Sequence, residues 1–333
     1  MPEGRPWILR GVYLLFGLFF LLLAYLLWLL GPTGEEATVR LERGMDAGRV
    51  AHLLEEKGLV RSGSLFSFYL RFSQRDRLLV PGVYRLKGEG AFHLARAISG
   101  GKPPLTVTLT FPEGLRAMEY GKRLSEAGLP GEAFLKRVLD PGPLKPPYVE
   151  GESLEGFLFP ATYTFDLLAT PEEILQSMLR RFEAELTPEV ERGLRAEGLS
   201  VQAWVTLASI VQVEAGSEEE MPYIAGVFLN RLKRGMPLQA DPTVAYALGK
   251  PLTALSRKAG DFQVDSPYNT YRHRGLPPTP ISNPGRAALR SVLDPVLTDG
   301  KGRPLLYFFH ARGKLFTSPD FETHLRLLSE HRP

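Results

Sequence analysis

The sequence predicts an α+β protein in three parts: a single N-terminal transmembrane helix, a small α+β module and a helix-rich α+β domain. Three observations carry this prediction. Residues 11–34 contain no charged side chain and are mostly Leu and Phe, strand and helix patterns alternate over residues 37–104, and helical periodicity dominates residues 105–333. A length of 333 residues accommodates about two or three domains of roughly 150 residues.

The uncharged run comes first. About 20 helical residues at about 1.5 Å each cross a hydrocarbon core of about 30 Å, and no small-residue cleavage pattern follows the run, so an uncleaved anchor is expected over residues 11–34. Arg5 and Arg10 precede it and Glu35 and Glu36 follow it. The positive-inside rule then keeps residues 1–10 cytoplasmic and exports the rest.

Residues 38–41 alternate as a strand, and residues 46–57 carry Val50, Leu53 and Leu54 at helical spacing. Ser62 or Ser64 caps a second helix ending near Phe72, residues 81–86 read as a turn into a strand, and 92–98 as a short helix. The breaker cluster at residues 100–104 closes this module. Beyond it the pattern predicts a strand at 105–111, helices at 115–127, 171–186, 188–197, 200–215 and 218–234, and a buried strand at 305–310. Ser217 and Glu220 have capping-box spacing, and the last hundred residues read as long ordered loops ahead of a terminal helix bearing His324.

Composition excludes several chemistries. Forty Lys and Arg against 37 Asp and Glu give a net charge of +3, too balanced for a nucleic-acid binder. The absence of Cys removes disulfides, thiolate metal sites and a Cys nucleophile. No G-x-S-x-G elbow, Walker A sequence or H-E-x-x-H occurs, and Gly88-Glu89-Gly90 lacks the third glycine of a dinucleotide fingerprint. The six His have no metal-ligand spacing, so neither metal nor cofactor is expected.

The helix at 200–215 is the most informative. Trp204, Leu207, Ala208 and Val211 define its apolar face, and Glu214 falls on that face, three residues after Val211 and seven after Leu207. Desolvation there raises a carboxyl pKa toward that of a general acid; the alternative is that Glu214, in the last turn, swings into water. Nearby stretches combine flat aromatic and amide side chains with proline-stiffened backbone, as suits sugar hydroxyls and acetamido groups: Gln239, Asp241 and Thr243, then Tyr268 and Asn269. Taken singly, each stretch also reads as an ordinary turn. The chain has only three Asn, and Asn230, Asn269 and Asn283 crowd into 54 residues of this region.

Taken together, Leu207-Ala-Ser-Ile-Val-Gln-Val-Glu214-Ala, Val227-Phe-Leu-Asn-Arg-Leu232, Gly235-Met-Pro-Leu-Gln-Ala-Asp-Pro-Thr-Val244, Tyr268-Asn-Thr-Tyr271, Gly275-Leu-Pro-Pro278 and Asn283-Pro-Gly285 resemble the endolytic murein transglycosylases, the MltG or YceG-like family. The segment from Glu155 to Tyr163 resembles the family's earlier signature. The resemblance implies a single-pass inner-membrane lyase with a LysM-like module at 37–104 and a YceG-like catalytic domain at 105–333. It implies peptidoglycan glycan strands as substrate and cell-wall synthesis and division proteins as partners.

By the resemblance, Glu214 stands at the catalytic glutamate and cleaves the β-1,4 bond between N-acetylmuramic acid and N-acetylglucosamine, leaving a 1,6-anhydro end that terminates the strand. Gln239, Asp241, Thr243, Tyr268, Asn269 and Asn230 are the expected binding or scaffold residues. Gln212 stands where the family often has a second acid, and at about 200° around the helix it faces away from Glu214. Ala240 and Ala161 are further departures, which bear only on fine substrate contacts. Two rival readings are a glycoside hydrolase using Glu214 with Asp241, and a non-catalytic wall-binding scaffold.

Overall fold

The computed structural model describes residues 6–331. Residues 1–5, within the segment expected on the cytoplasmic side, and residues 332–333 lie outside the described residues. Helix α1 (Pro6–Leu30) includes Arg10–Leu30, 21 residues of mean hydropathy 2.5, which is long and apolar enough to cross a membrane. It stops before Gly31 and Pro32, because proline lacks the N–H that would extend it and disfavours helical backbone at the preceding residue.

The remaining chain forms two compact units, one running to Val107 and including Thr164–Leu168, the other comprising Thr108–Tyr163 and the chain from Ala169. In the first unit, β1 (Glu36–Leu41), α2 (Ala47–Glu56), α3 (Gly63–Phe72) and β2 (Gly82–Lys87) follow in order. Strands β1 and β2 pair antiparallel, with Glu36 opposite Lys87 and Leu41 opposite Gly82. Asp46 caps α2 by accepting from the Arg49 N–H at 2.8 Å, and Ser62 caps α3 through Leu65, which fixes both helix starts. Val39, Leu54, Phe66, Leu70 and Tyr84 form the buried centre. Helix α4 (Ala91–Arg96) closes the unit and unwinds through a wide turn at Ala97–Gly101.

Strand β3 (Thr106–Thr110) leads into α5 (Ala117–Glu126) and α6 (Gly131–Leu139), and β4 (Thr162–Asp166) pairs with β3. The helical body follows: α7 (Pro171–Glu183), α8 (Pro188–Glu197), α9 (Val201–Glu214), α10 (Met221–Lys233), α11 (Asp241–Leu248) and α12 (Arg286–Leu293). A hairpin of β5 (Tyr307–Ala311) and β6 (Lys314–Ser318) turns at Arg312 and Gly313, both at positive φ, and α13 (Phe321–His331) ends the described chain.

Three local expectations are corrected. Helix α9 is buried not on one face but all round, since Val205, Thr206, Ser209 and Ile210 are as enclosed as Trp204, Leu207, Ala208 and Val211. It is the central helix, packed on α10, α11 and α12, with Trp204 Nε1 donating to the Leu289 carbonyl at 2.8 Å. Ser217 and Glu220 form no capping box: Glu220 instead accepts from the Gly216 N–H at 2.8 Å, and α10 begins only at Met221 after a 3-10 turn. The Asp241-Pro242 pair, read as a turn, opens α11, where proline's fixed φ suits the first turn of a helix.

Asn283 ties this unit together. Its Oδ1 accepts from the N–H groups of Gly156 (2.9 Å) and Leu158 (3.1 Å), while Nδ2 donates to Leu115 O and to Glu155 Oε1, both at 3.0 Å. Gly156 is required there, with φ at +90° and a Cβ position only 2.3 Å from Pro280. Asn283→Ala orphans two buried N–H groups and takes from the buried Glu155 carboxyl one of its two donors, leaving it the Ala117 N–H, and is expected to cost about 3–5 kcal/mol in urea unfolding of the full chain in detergent.

Candidate active site

Glu214 is the last residue of α9 and opens into a cavity of about 480 Å³, within the roughly 300–1,000 Å³ usual for ligand clefts. The other walls come from four places: Arg231 on α10, Gln239 and Asp241 at the start of α11, Arg257 and Tyr271 of the long loop, and the β5 hairpin with α13. Phe321, His324 and Leu328 line it from α13 at helical spacing. A second cavity of about 340 Å³ lies by Val213 and Pro242, but its carboxylate, Glu119, accepts from the Arg116 N–H at the start of α5.

Glu214 is half-buried and lines the cavity. Burial first, then the charge of Asp241, push its pKa from an ordinary 4.5 up to about 8; the Asp241 backbone N–H and the Arg231 guanidinium oppose this. Its place at the helix C-terminus adds to the penalty, because the negative end of the helix dipole disfavours an anion. Glu155 is also raised, to about 7 and again by burial, but it is enclosed and bound to the Ala117 N–H and to Asn283. Of the two carboxyls with raised pKa, Glu214 is the one that lines the cavity.

Asp241 accepts from the Tyr271 hydroxyl through Oδ1. Gln239 is exposed at the cavity with φ of +54°, a left-handed conformation uncommon outside glycine, and its N–H donates to the Thr270 carbonyl at 3.1 Å. Glu214, Gln239 and Asp241 thus meet in one cavity. The remaining expected residues sit behind it. Thr243 donates to the Ala240 carbonyl and meets Thr270; Asn269 donates to Phe262 and Val264 carbonyls; Asn230 donates to Leu297 and Leu305 carbonyls. Tyr268 bonds Thr279 and packs against Tyr246, outside the Glu214 cavity.

Several wall residues escaped the sequence reading. Arg231 is buried, donating to the Leu306 and Leu238 carbonyls at 2.7 and 2.6 Å. Its signal was available, since it lies three and four residues after Phe228 and Val227, on a buried stripe, as Glu214 does on α9. His310 bonds Glu220 at 3.0 Å across 90 residues, a pairing without a local signal. Among the described residues no cluster of three or more His, Asp or Glu could hold a metal ion.

The YceG-like family model matches residues 39–330. The chain belongs to the YceG-like family. This YceG-like chain is 32% identical over 326 residues to the endolytic murein transglycosylase of Streptococcus pneumoniae serotype 2, covering 88% of itself but 58% of that protein, little more than half. It is 30% identical over 284 residues to the endolytic murein transglycosylase of Bacillus subtilis, covering 78% of itself and 76% of that protein. The crystal structure of a YceG-like protein from Listeria monocytogenes is similar at a TM-score of 0.58 and 31% identity, over 88% of this chain and 99% of that one.

A carboxyl raised in the folded state keeps a proton that the unfolded chain releases, so folding stability falls as pH rises between 4.5 and about 8. Glu214→Gln removes this titration. The variant is expected to match wild type near pH 4 and to exceed it by about 2–4 kcal/mol at pH 9, in denaturant melts across that range.

Proposed function

We propose that this chain is a membrane-anchored endolytic lytic transglycosylase of peptidoglycan, with Glu214 as its single catalytic acid and base. The observation that carries the reading is that Glu214 lines a ligand-sized cavity together with Asp241, where burial and that neighbouring charge raise its pKa. The names of the pneumococcal and Bacillus subtilis relatives support the same activity.

Neutral Glu214 protonates the oxygen of the β-1,4 bond between N-acetylmuramic acid and N-acetylglucosamine, and the bond breaks through an oxocarbenium-like state. The carboxylate left behind takes the proton of the muramic C6 hydroxyl, whose oxygen closes on C1. The proton returns to Glu214, no water is consumed, and a 1,6-anhydro end results. One protein carboxyl suffices because the nucleophile belongs to the substrate. In this reading Asp241 holds Glu214 protonated, Gln239 contacts sugar, and Thr243, Tyr268, Asn269 and Asn230 keep the surrounding loops in place. A hydrolase reading draws on Asp241 sharing the cavity, with Asp241 activating water.

In this reading the positive-inside asymmetry around the anchor keeps residues 1–10 in the cytoplasm and leaves the active site outside the cytoplasmic membrane, where strands are assembled and where synthesis and division proteins act. We read residues 37–104 as LysM-like on the strength of the antiparallel strand–helix–helix–strand order, and assign them to holding glycan for the catalytic domain at 105–333.

Mass spectrometry of digested strands decides the chemistry: anhydro ends lighter by one water are expected, and ordinary reducing ends favour the hydrolase. Glu214→Gln is expected to lose about 10²–10⁴-fold in rate. The wild-type rate is expected to fall as pH rises through about 8, where the acid loses its proton. Deleting residues 37–104 is expected to weaken sedimentation with isolated cell walls while leaving Glu214 in place; undiminished binding would remove that module's assigned role.

A further inference from the structure

We propose that Arg257 is the carboxylate-recognising residue of the Glu214 cavity, selecting glycan strands whose muramic units bear a free carboxylate. The inference rests on the glycan reading above and names which strands the site prefers. Arg257 lines the cavity, and its guanidinium lies 4.2 Å from the centre of the Phe262 ring and 5.5 Å from that of Tyr271. Those rings meet edge to face at 5.1 Å, and Nη2 of Arg257 approaches the Tyr271 hydroxyl at 3.4 Å. The aromatic pair therefore holds the planar cation in a set orientation without neutralising it.

Among the described residues Arg257 makes no ion pair. The acids around it do not supply one: buried Asp261 is bound by Lys250 Nζ at 2.7 Å and by the Ser256 N–H, Asp265 forms no ion pair with it, and Asp241 reaches Arg257 through the Tyr271 hydroxyl. The same loop is charged beyond the rest of the chain. Residues 249–275 hold five Lys or Arg against two Asp and no Glu, an excess equal to the whole chain's +3. A guanidinium offers five N–H donors in a fork that matches a carboxylate, so an oriented, unpaired one on a cavity wall selects that group. A neutral sugar polymer carries nothing for it. Muramic acid does, either through its own lactyl carboxylate or through the acids of an attached peptide stem.

The test uses the full chain in detergent carrying Glu214→Gln, so that strands are bound and not consumed. Binding is measured for stem-bearing strands and for strands stripped of stems, each before and after carbodiimide amidation of their carboxyls. At least one strand type is expected to bind about tenfold more tightly before amidation, and the type that does so identifies whether the stem or the lactyl group is recognised. Adding Arg257→Gln is expected to bring that ratio close to one, and Arg257→Lys to restore part of it. Equal binding before and after amidation for both strand types overturns the proposal, as does a ratio that survives Arg257→Gln. A wild-type chain that shows this preference yet never cleaves glycan would overturn the transglycosylase reading and leave the Arg257 site standing.

Discussion

The burial of one carboxyl at the end of a fully enclosed helix governs the rest of the site. Helix α9 has no charged residue before Glu214, and its circumference is covered by α10, α11 and α12. Ionising Glu214 would set an anion in a desolvated place, beside Asp241 and at the negative end of a helix dipole. The protonated form is therefore the stable one near neutrality. What costs folding stability at high pH is what makes the group a proton donor at pH 7.

The scaffold holds that carboxyl from several directions. Ser209 of α9 accepts from the Ile281 N–H at 3.0 Å, and its carbonyl accepts from Ser282 Oγ at 3.1 Å, fastening the proline-rich loop to the helix. One turn later Gln212 accepts from the Gly285 N–H at 2.8 Å, on the side away from the cavity. An amide oxygen serves there as well as a carboxylate oxygen would, since both accept from a backbone N–H. Asn283, between these contacts, satisfies four backbone and side-chain partners at once.

Much of this was legible before any coordinates. Uninterrupted hydrophobicity marked α1, Asp46, Ser62 and Ser200 marked helix starts, and i, i+3, i+4, i+7 spacing set Glu214 among apolar neighbours. Short elements were not legible. Helix α6 starts at Gly131 behind a proline, packed so closely on α5 that a Cβ would sit 1.9 Å from the Gly121 carbonyl oxygen, and breaker residues hid it. Helices α11 and α12 open on Asp-Pro and follow Asn-Pro-Gly, dipeptides that read equally as turns. The wall of the cavity was least legible, because His310 and Arg257 reach it through pairings set by tertiary structure. The three Asn mark the neighbourhood, yet their amides hold backbone behind the cavity instead of lining it.

The central claim is that Glu214 is protonated at the pH where the protein works. Difference infrared spectroscopy of wild type against Glu214→Gln, titrated from pH 4 to pH 10, observes that proton directly, and subtraction removes the contribution of Glu155. The account predicts a protonated-carboxyl band that persists at pH 7 and bleaches with a midpoint near 8. A band already lost by pH 5 would contradict it.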